Sequence, residues 1–180
     1  DRWEVVGEMV AGVMAEAAGE VEQGGSCTKK ARGGRRGGGL VGRVSSPEVG
    51  GRGAGPREAA QVVERLAREC GSTAMVVCMH YAGAHTVERF GSETVRREVA
   101  SGRHLLTLAF SEAGSRSHFW APVGTAEPRD DGVHLNAQKS WVTSANHATA
   151  YVWSSRPASA VDGSTLWLVP RETPALAPRG

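Results

Sequence analysis

Apolar residues in this chain change their period part-way along, from steps of three and four to steps of two. Trp3, Val6, Met9, Val10, Val13, Met14 and Ala17 fall on one face of a helix. A short apolar piece follows at Leu40-Val-Gly-Arg-Val44, then a tight glycine-rich loop. Pro56 suits the opening of a helix through Ala67, with Val62, Val63, Leu66 and Cys70 facing inward. Gly71 is expected to stop that helix and Ser72 to cap the next. Residues 73–90 are apolar around most of a helical circumference, through Met75, Val76, Val77, Met79, Tyr81 and Val87. Such a helix belongs at the centre of a bundle. Ser92 is placed to cap a last helix through Ala100, with Glu93 near its positive end.

Past Gly102 the pattern becomes that of strands. Leu105–Phe110 reads as a buried strand, and Val133–Gln138 alternates behind the turn signal Asp130-Asp-Gly132. Trp141–Thr143, Tyr151–Trp153 and Thr165–Val169 are three further expected strands, which makes Trp141 by itself read as a core tryptophan beside Trp153 and Trp167. Helices followed by strands predict an α+β chain: an N-terminal α-helical domain over 1–103 and a β-domain over 104–180.

Hydrophobic residues at 40% and charged residues at 22% allow an ordinary core, and a net charge of +2 makes no global case for nucleic acid. The charge is uneven, however. Residues 24–43 hold six basic residues and no acid, and nearly half of 24–39 is glycine, so no stable helix or strand is expected there. Arg32-Gly-Gly-Arg-Arg-Gly-Gly-Gly39 resembles an RNA-binding segment but lacks interleaved aromatics, so RNA binding is the most distant reading. A reading-frame slip in GC-rich DNA produces the same composition. No window approaches the ~18 uninterrupted apolar residues of a membrane span. The acidic start Asp-Arg-Trp-Glu is unlike a secretory signal. Cys27, Cys70 and Cys78 lack CxxC spacing, so reduced thiols, no metal site and a cytoplasmic location are expected.

Two segments carry the chemistry. Leu108-Ala-Phe-Ser-Glu-Ala-Gly-Ser-Arg-Ser-His118 is similar to an apolar strand followed by Thr-Glu-Pro-Gly and Ala-Gly-Ser-Asp, with Ser111 at the threonine position and Glu112, Gly114 and Ser117 matching. Asn136, Lys139, Trp141 and Thr143 match the pattern Asn-Gly-x-Lys-x-Trp-Ile-Thr-Asn, and Pro47-Glu-Val-Gly-Gly-Arg-Gly53 looks like Pro-Glu-x-x-Gly-Gly-x-Gly with one position fewer. Taken in this order and spacing, these motifs resemble the acyl-CoA dehydrogenase family. Ala113, Arg116 and His118 depart from it, replacing proline, glycine and aspartate.

The resemblance implies a helical domain followed by an incomplete antiparallel β-barrel-like domain, and FAD as cofactor. The cofactor contacts it implies are Leu108, Phe110, Ser111, Gly114, Ser117, Trp141 and Thr143. Donors at Ser111 and the adjoining backbone would stabilise charge on the reduced ring. Trp141 would pack on the isoalloxazine and Thr143 would sit near N5. Ser117 and Arg116 would border the acyl-CoA substrate, Arg116 adding bulk and fixed positive charge. The implied reaction is dehydrogenation at the CH–CH group of an acyl-CoA thioester, as in fatty acid metabolism, with electrons passed to an acceptor and the parent protein a homo-oligomer. The family's base is a carboxylate of a C-terminal helical domain, so no catalytic residue is expected in these 180 residues, which should bind FAD weakly and not turn over. A flavin-dependent monooxygenase of the same fold is the nearer alternative. His118 has the chemistry of a proton carrier but reads as a packed histidine, and His80 as a structural one.

Overall fold

The computed structural model describes residues 39–115, 118 and 120–179. The expected helix over 3–17, the basic tract up to residue 38, and Arg116 and Ser117 lie outside them. The chain divides into two compact units between Leu106 and Thr107.

In the first unit, Val41–Arg43 and Pro47–Val49 are short 3-10 turns, and the Ser46 hydroxyl accepts from the Glu48 N–H at 3.3 Å to start the second. The glycine loop then folds back on them. Gly53 N–H donates to Ser45 O at 2.7 Å, and a Cβ on Gly51 would lie 2.0 Å from that same carbonyl, so no larger residue fits there. Helix α1, Pro56–Ala67, opens on proline as expected and buries Ala59, Val62 and Leu66 at helical spacing, with Val63 half-buried. Helix α2, Gly71–Phe90, packs against it.

Two expectations about α2 fail. Cys70 alone is extended between the helices, so α2 restarts at once and Ser72 sits inside its first turn instead of capping it. Gly71 likewise begins a helix and does not stop one. Nor is α2 buried all round: Thr73, Ala74, Val77, His80, Tyr81, Ala84 and Val87 line its inner face, while Met75 is 52% exposed. Helix α3, Glu93–Ala100, is capped by the Ser92 hydroxyl, which accepts from Val95 N–H at 3.4 Å.

His80 is fully buried. Its Nδ1 accepts from Leu106 N–H at 3.0 Å, so Nε2 carries the proton and donates to Val41 O at 2.9 Å. Burial pushes its pKa down to about 4, only partly offset by the Val41 carbonyl. The structural role expected for it is what the geometry shows. The neighbouring Tyr81 hydroxyl donates to Leu40 O at 2.8 Å.

The second unit holds two sheets. Strands β1 (Leu106–Ala109), β4 (Ala150–Ser155) and β5 (Thr165–Pro170) form one in the order β1-β4-β5, with β4 and β5 antiparallel and Trp153 opposite Trp167. Strands β2 (Thr125–Arg129) and β3 (Gly132–Asn136) form an antiparallel hairpin closed by Asp130-Asp131, with Arg129 opposite Gly132. Strand β2 went unexpected because Thr-Ala-Glu-Pro-Arg has no apolar alternation and carries a proline. Its core gathers Ala109, Ala148, Tyr151, Trp153 and Val169, flanked by Leu135, Ala137, Val142, Trp167 and Leu176.

The expected strand Trp141–Thr143 does not form. Trp141 and Ser144 have φ of 56° and 54°, left-handed values that break a strand, and residues 143–147 make turns. Among the described residues no helix is long and apolar enough to cross a membrane.

Candidate functional site

The two segments singled out by their residue types meet in space. The Thr107 hydroxyl donates to Thr143 O at 2.7 Å, Ser140 N–H donates to Ser111 O at 2.8 Å, and Glu112 faces Lys139 in an antiparallel bridge. The chain leaving β1 therefore runs against the chain leading to Trp141, which brings Phe110, Ser111, Trp141 and Thr143 to one crossing. Leu108, Phe110, Ser111 and Thr143 are half-buried there.

Trp141 is not a core tryptophan. It is 94% exposed, held outward by its left-handed backbone. A bulky residue in that conformation is a genuine outlier, and such strain gathers at ligand clamps. Gly114, at φ 90°, sits in the turn after Glu112, where the Ser115 hydroxyl donates to Glu112 O at 3.1 Å. His118 is exposed and stacked on Trp120, ring centroids 4.6 Å apart and 15° from parallel, so the packed histidine expected from the sequence is instead a surface stack.

Beneath the crossing lies an ion pair whose importance the residue pattern did not reveal. Lys139 Nζ is 2.6 Å from Glu112 Oε1, with the two side chains 4% and 1% exposed. Every group in the pair is used. Glu112 Oε2 accepts from Val123 N–H at 2.6 Å and Gly124 N–H at 3.1 Å. Lys139 also donates to Ser154 O at 2.6 Å and Ser154 Oγ at 3.2 Å, and lies 5.0 Å over the Trp153 ring. Burial pushes the Glu112 carboxyl up, but Lys139 and the two backbone N–H groups outweigh it and leave the pKa below the usual value. Burial lowers the Lys139 pKa, and Glu112 only partly restores it.

One signal for this pair was present in the sequence. Glu112 is the only acid between Glu98 and Glu127, and Lys139 the only Lys, Arg, Asp or Glu between Asp131 and Arg156. A lone acid and a lone lysine in two stretches that pack together are candidates for each other, although Arg103 and Arg116 share the stretch of Glu112.

Residues 3–102 match the family model described as acyl-CoA dehydrogenase, N-terminal domain. Human mitochondrial short-chain specific acyl-CoA dehydrogenase is 31% identical over 147 residues, covering 77% of this chain and 35% of that protein. Butyryl-CoA dehydrogenase from Megasphaera elsdenii superposes with a TM-score of 0.77 at 18% identity, over 97% of this chain and 49% of the other. The FAD complex of PigA superposes at 0.76 and 21%, over 95% and 48%. These structures share the α+β fold, and the chain spans about a third of the human relative. On the match over residues 3–102, the chain belongs to the acyl-CoA dehydrogenase family.

Proposed function

We propose that this chain carries the flavin-facing wall of an FAD-dependent oxidoreductase acting on the CH–CH group of an acyl-CoA thioester. The observation that supports it best is the crossing itself: an indole held outward at φ 56° beside the hydroxyl-bearing Ser111 and Thr143. A flat aromatic ring with a polar edge fits that donor set. FAD, when bound, supplies a hydride acceptor at N5.

The remaining chemistry belongs to this chain's residues. The Ser111 hydroxyl and the backbone around Phe110 offer donors where negative charge develops on the ring edge. Trp141 offers a large rigid face at low entropy cost, Thr143 a hydroxyl near N5, and Leu108 apolar support. Gly114 borders the diphosphate or thioester; Ser117 and Arg116, outside the described residues, are assigned to that path by the resemblance alone. The buried carboxylate Glu112 is not a base for the substrate, since both its oxygens are committed. By the resemblance, proton removal falls to a carboxylate of the family's C-terminal helical domain. The parent protein is proposed to be a cytoplasmic homo-oligomer that passes electrons to a separate acceptor.

The test is titration of the chain with oxidised FAD, followed by quenching of flavin fluorescence, on the native sequence and on Trp141→Ala. Weak, saturable quenching that the variant loses is expected. No binding up to about 1 mM, roughly −4 kcal/mol, refutes the reading. In the full-length parent, anaerobic bleaching of the flavin by acyl-CoAs supports the dehydrogenase, whereas oxygen consumption with reduced flavin and no such bleaching points to the monooxygenase.

A further inference from the structure

The Glu112–Lys139 pair lies one residue from Ser111 and two from Trp141, yet it faces away from solvent and has no chemistry of its own to perform. Four stretches of chain meet on it: the turn after β1, the entry to β2 at Val123 and Gly124, the segment carrying Trp141, and β4 at Ser154. The bridge between Glu112 and Lys139 is isolated, with no ladder continuing on either side. Repeated main-chain bonds therefore do not set the register of this crossing. The left-handed turn at Trp141 ends the extended run at once.

We propose that Glu112 and Lys139 are positioning residues of the flavin site, whose ion pair sets the separation and register of the Ser111 and Trp141 segments and so places the hydroxyl and the indole against the cofactor. This rests on the flavin reading above. The physical reason is geometric. A buried ion pair contributes little net stability over an apolar pair of the same size, because desolvating both charges offsets their attraction. What it supplies is direction: a carboxylate fixed by two backbone N–H groups and an ammonium fixed by a carbonyl tolerate few alternative arrangements. A Cβ on Gly124 would lie 2.7 Å from Glu112 Oε1 and 2.5 Å from the Ala137 Cβ, so only glycine fits this close to the carboxylate.

The test uses the chain as it stands, with Lys139→Met and the double variant Glu112→Gln/Lys139→Met. The double variant removes the stranded buried carboxylate and carries the test alone if the single one does not fold. Two readouts are taken. The first is hydrogen exchange of the Ser140 amide, which donates to Ser111 O, against the ladder amides between β4 and β5. The second is FAD affinity by fluorescence quenching. The expected result is Ser140 exchange about tenfold faster or more while the ladder is unchanged, with FAD binding weakened about tenfold in both variants.

Unchanged Ser140 protection and unchanged FAD affinity overturn the proposal. So does a double variant that regains native stability and native FAD affinity together, or a uniform loss of protection across the sheet; both mean a purely structural pair. If the native chain takes up no FAD, the flavin reading fails. Ser140 exchange then still decides whether the pair sets the register: a selective increase supports that half of the proposal, and no change refutes it.

Discussion

Lowering the pH should destabilise this protein through His80 in a way that can be isolated from every other titrating group. The side chain is 1% exposed and accepts from Leu106 N–H through Nδ1, so it has room for a proton only at the cost of that bond. Its pKa falls from 6.5 to about 4. The unfolded chain takes up the proton near pH 6.5, the native one only near 4. The neutral ring's stability is therefore fully present above pH 6.5, falls as pH drops between those values, and the loss levels off below 4. At about 1.4 kcal/mol per pH unit, the total is on the order of 3 kcal/mol. Urea unfolding of the native chain and of His80→Gln, at half-unit steps from pH 7.5 to 4, measures it. All other ionisable groups are common to the two chains, so the stability difference between them isolates the effect of residue 80. That difference should shift by about 3 kcal/mol against the native chain on going from pH 7 to 4. A difference that stays flat across the range refutes a buried neutral imidazole with the Nδ1 acceptor role.

Two further substitutions check the site. Trp141→Gly removes an exposed side chain from a left-handed position, so thermal unfolding should show stability unchanged or raised by about 0.5–1 kcal/mol, while the FAD-dependent quenching is lost; a large fall in Tm would mean the indole is packed after all. Gly124→Ala pushes a methyl group against Glu112 and Ala137, and should cost about 1–3 kcal/mol by denaturant unfolding. No loss there would mean the Val123–Gly124 loop is free to move away from the carboxylate.

Much of this molecule could be read from residue order because its signals are local. Pro56 and the spacing of Val62 and Leu66 are enough to place α1, and Ser92 to place the start of α3, since helix caps and amphipathic faces depend on neighbours a few positions away. Strands β4 and β5 stand out by their apolar content. The motif residues around Ser111 and Trp141 carry the family resemblance in their order and spacing, and with it the expectation of one ligand site.

What the sequence left open depended on distant partners. Trp141-Val-Thr143 has the composition of a strand, but its outward, left-handed course is set by the crossing with the β1 segment, more than thirty positions earlier. Ser72 has the chemistry of a cap, but Cys70 takes the extended N-cap position because the short connection over residues 68–70 starts the second helix at Gly71. Strand β2 exists because β3 pairs with it, not through any pattern of its own. Glu112 and Lys139 stand in the sequence as separate motif positions, and only folding, by burying both together, made them a pair. Sequence determined the elements and the chemistry available to the site. Tertiary structure decided which groups are exposed at the crossing and which are buried beneath it, because burial and long-range hydrogen bonding are properties of the packed chain and not of any one segment.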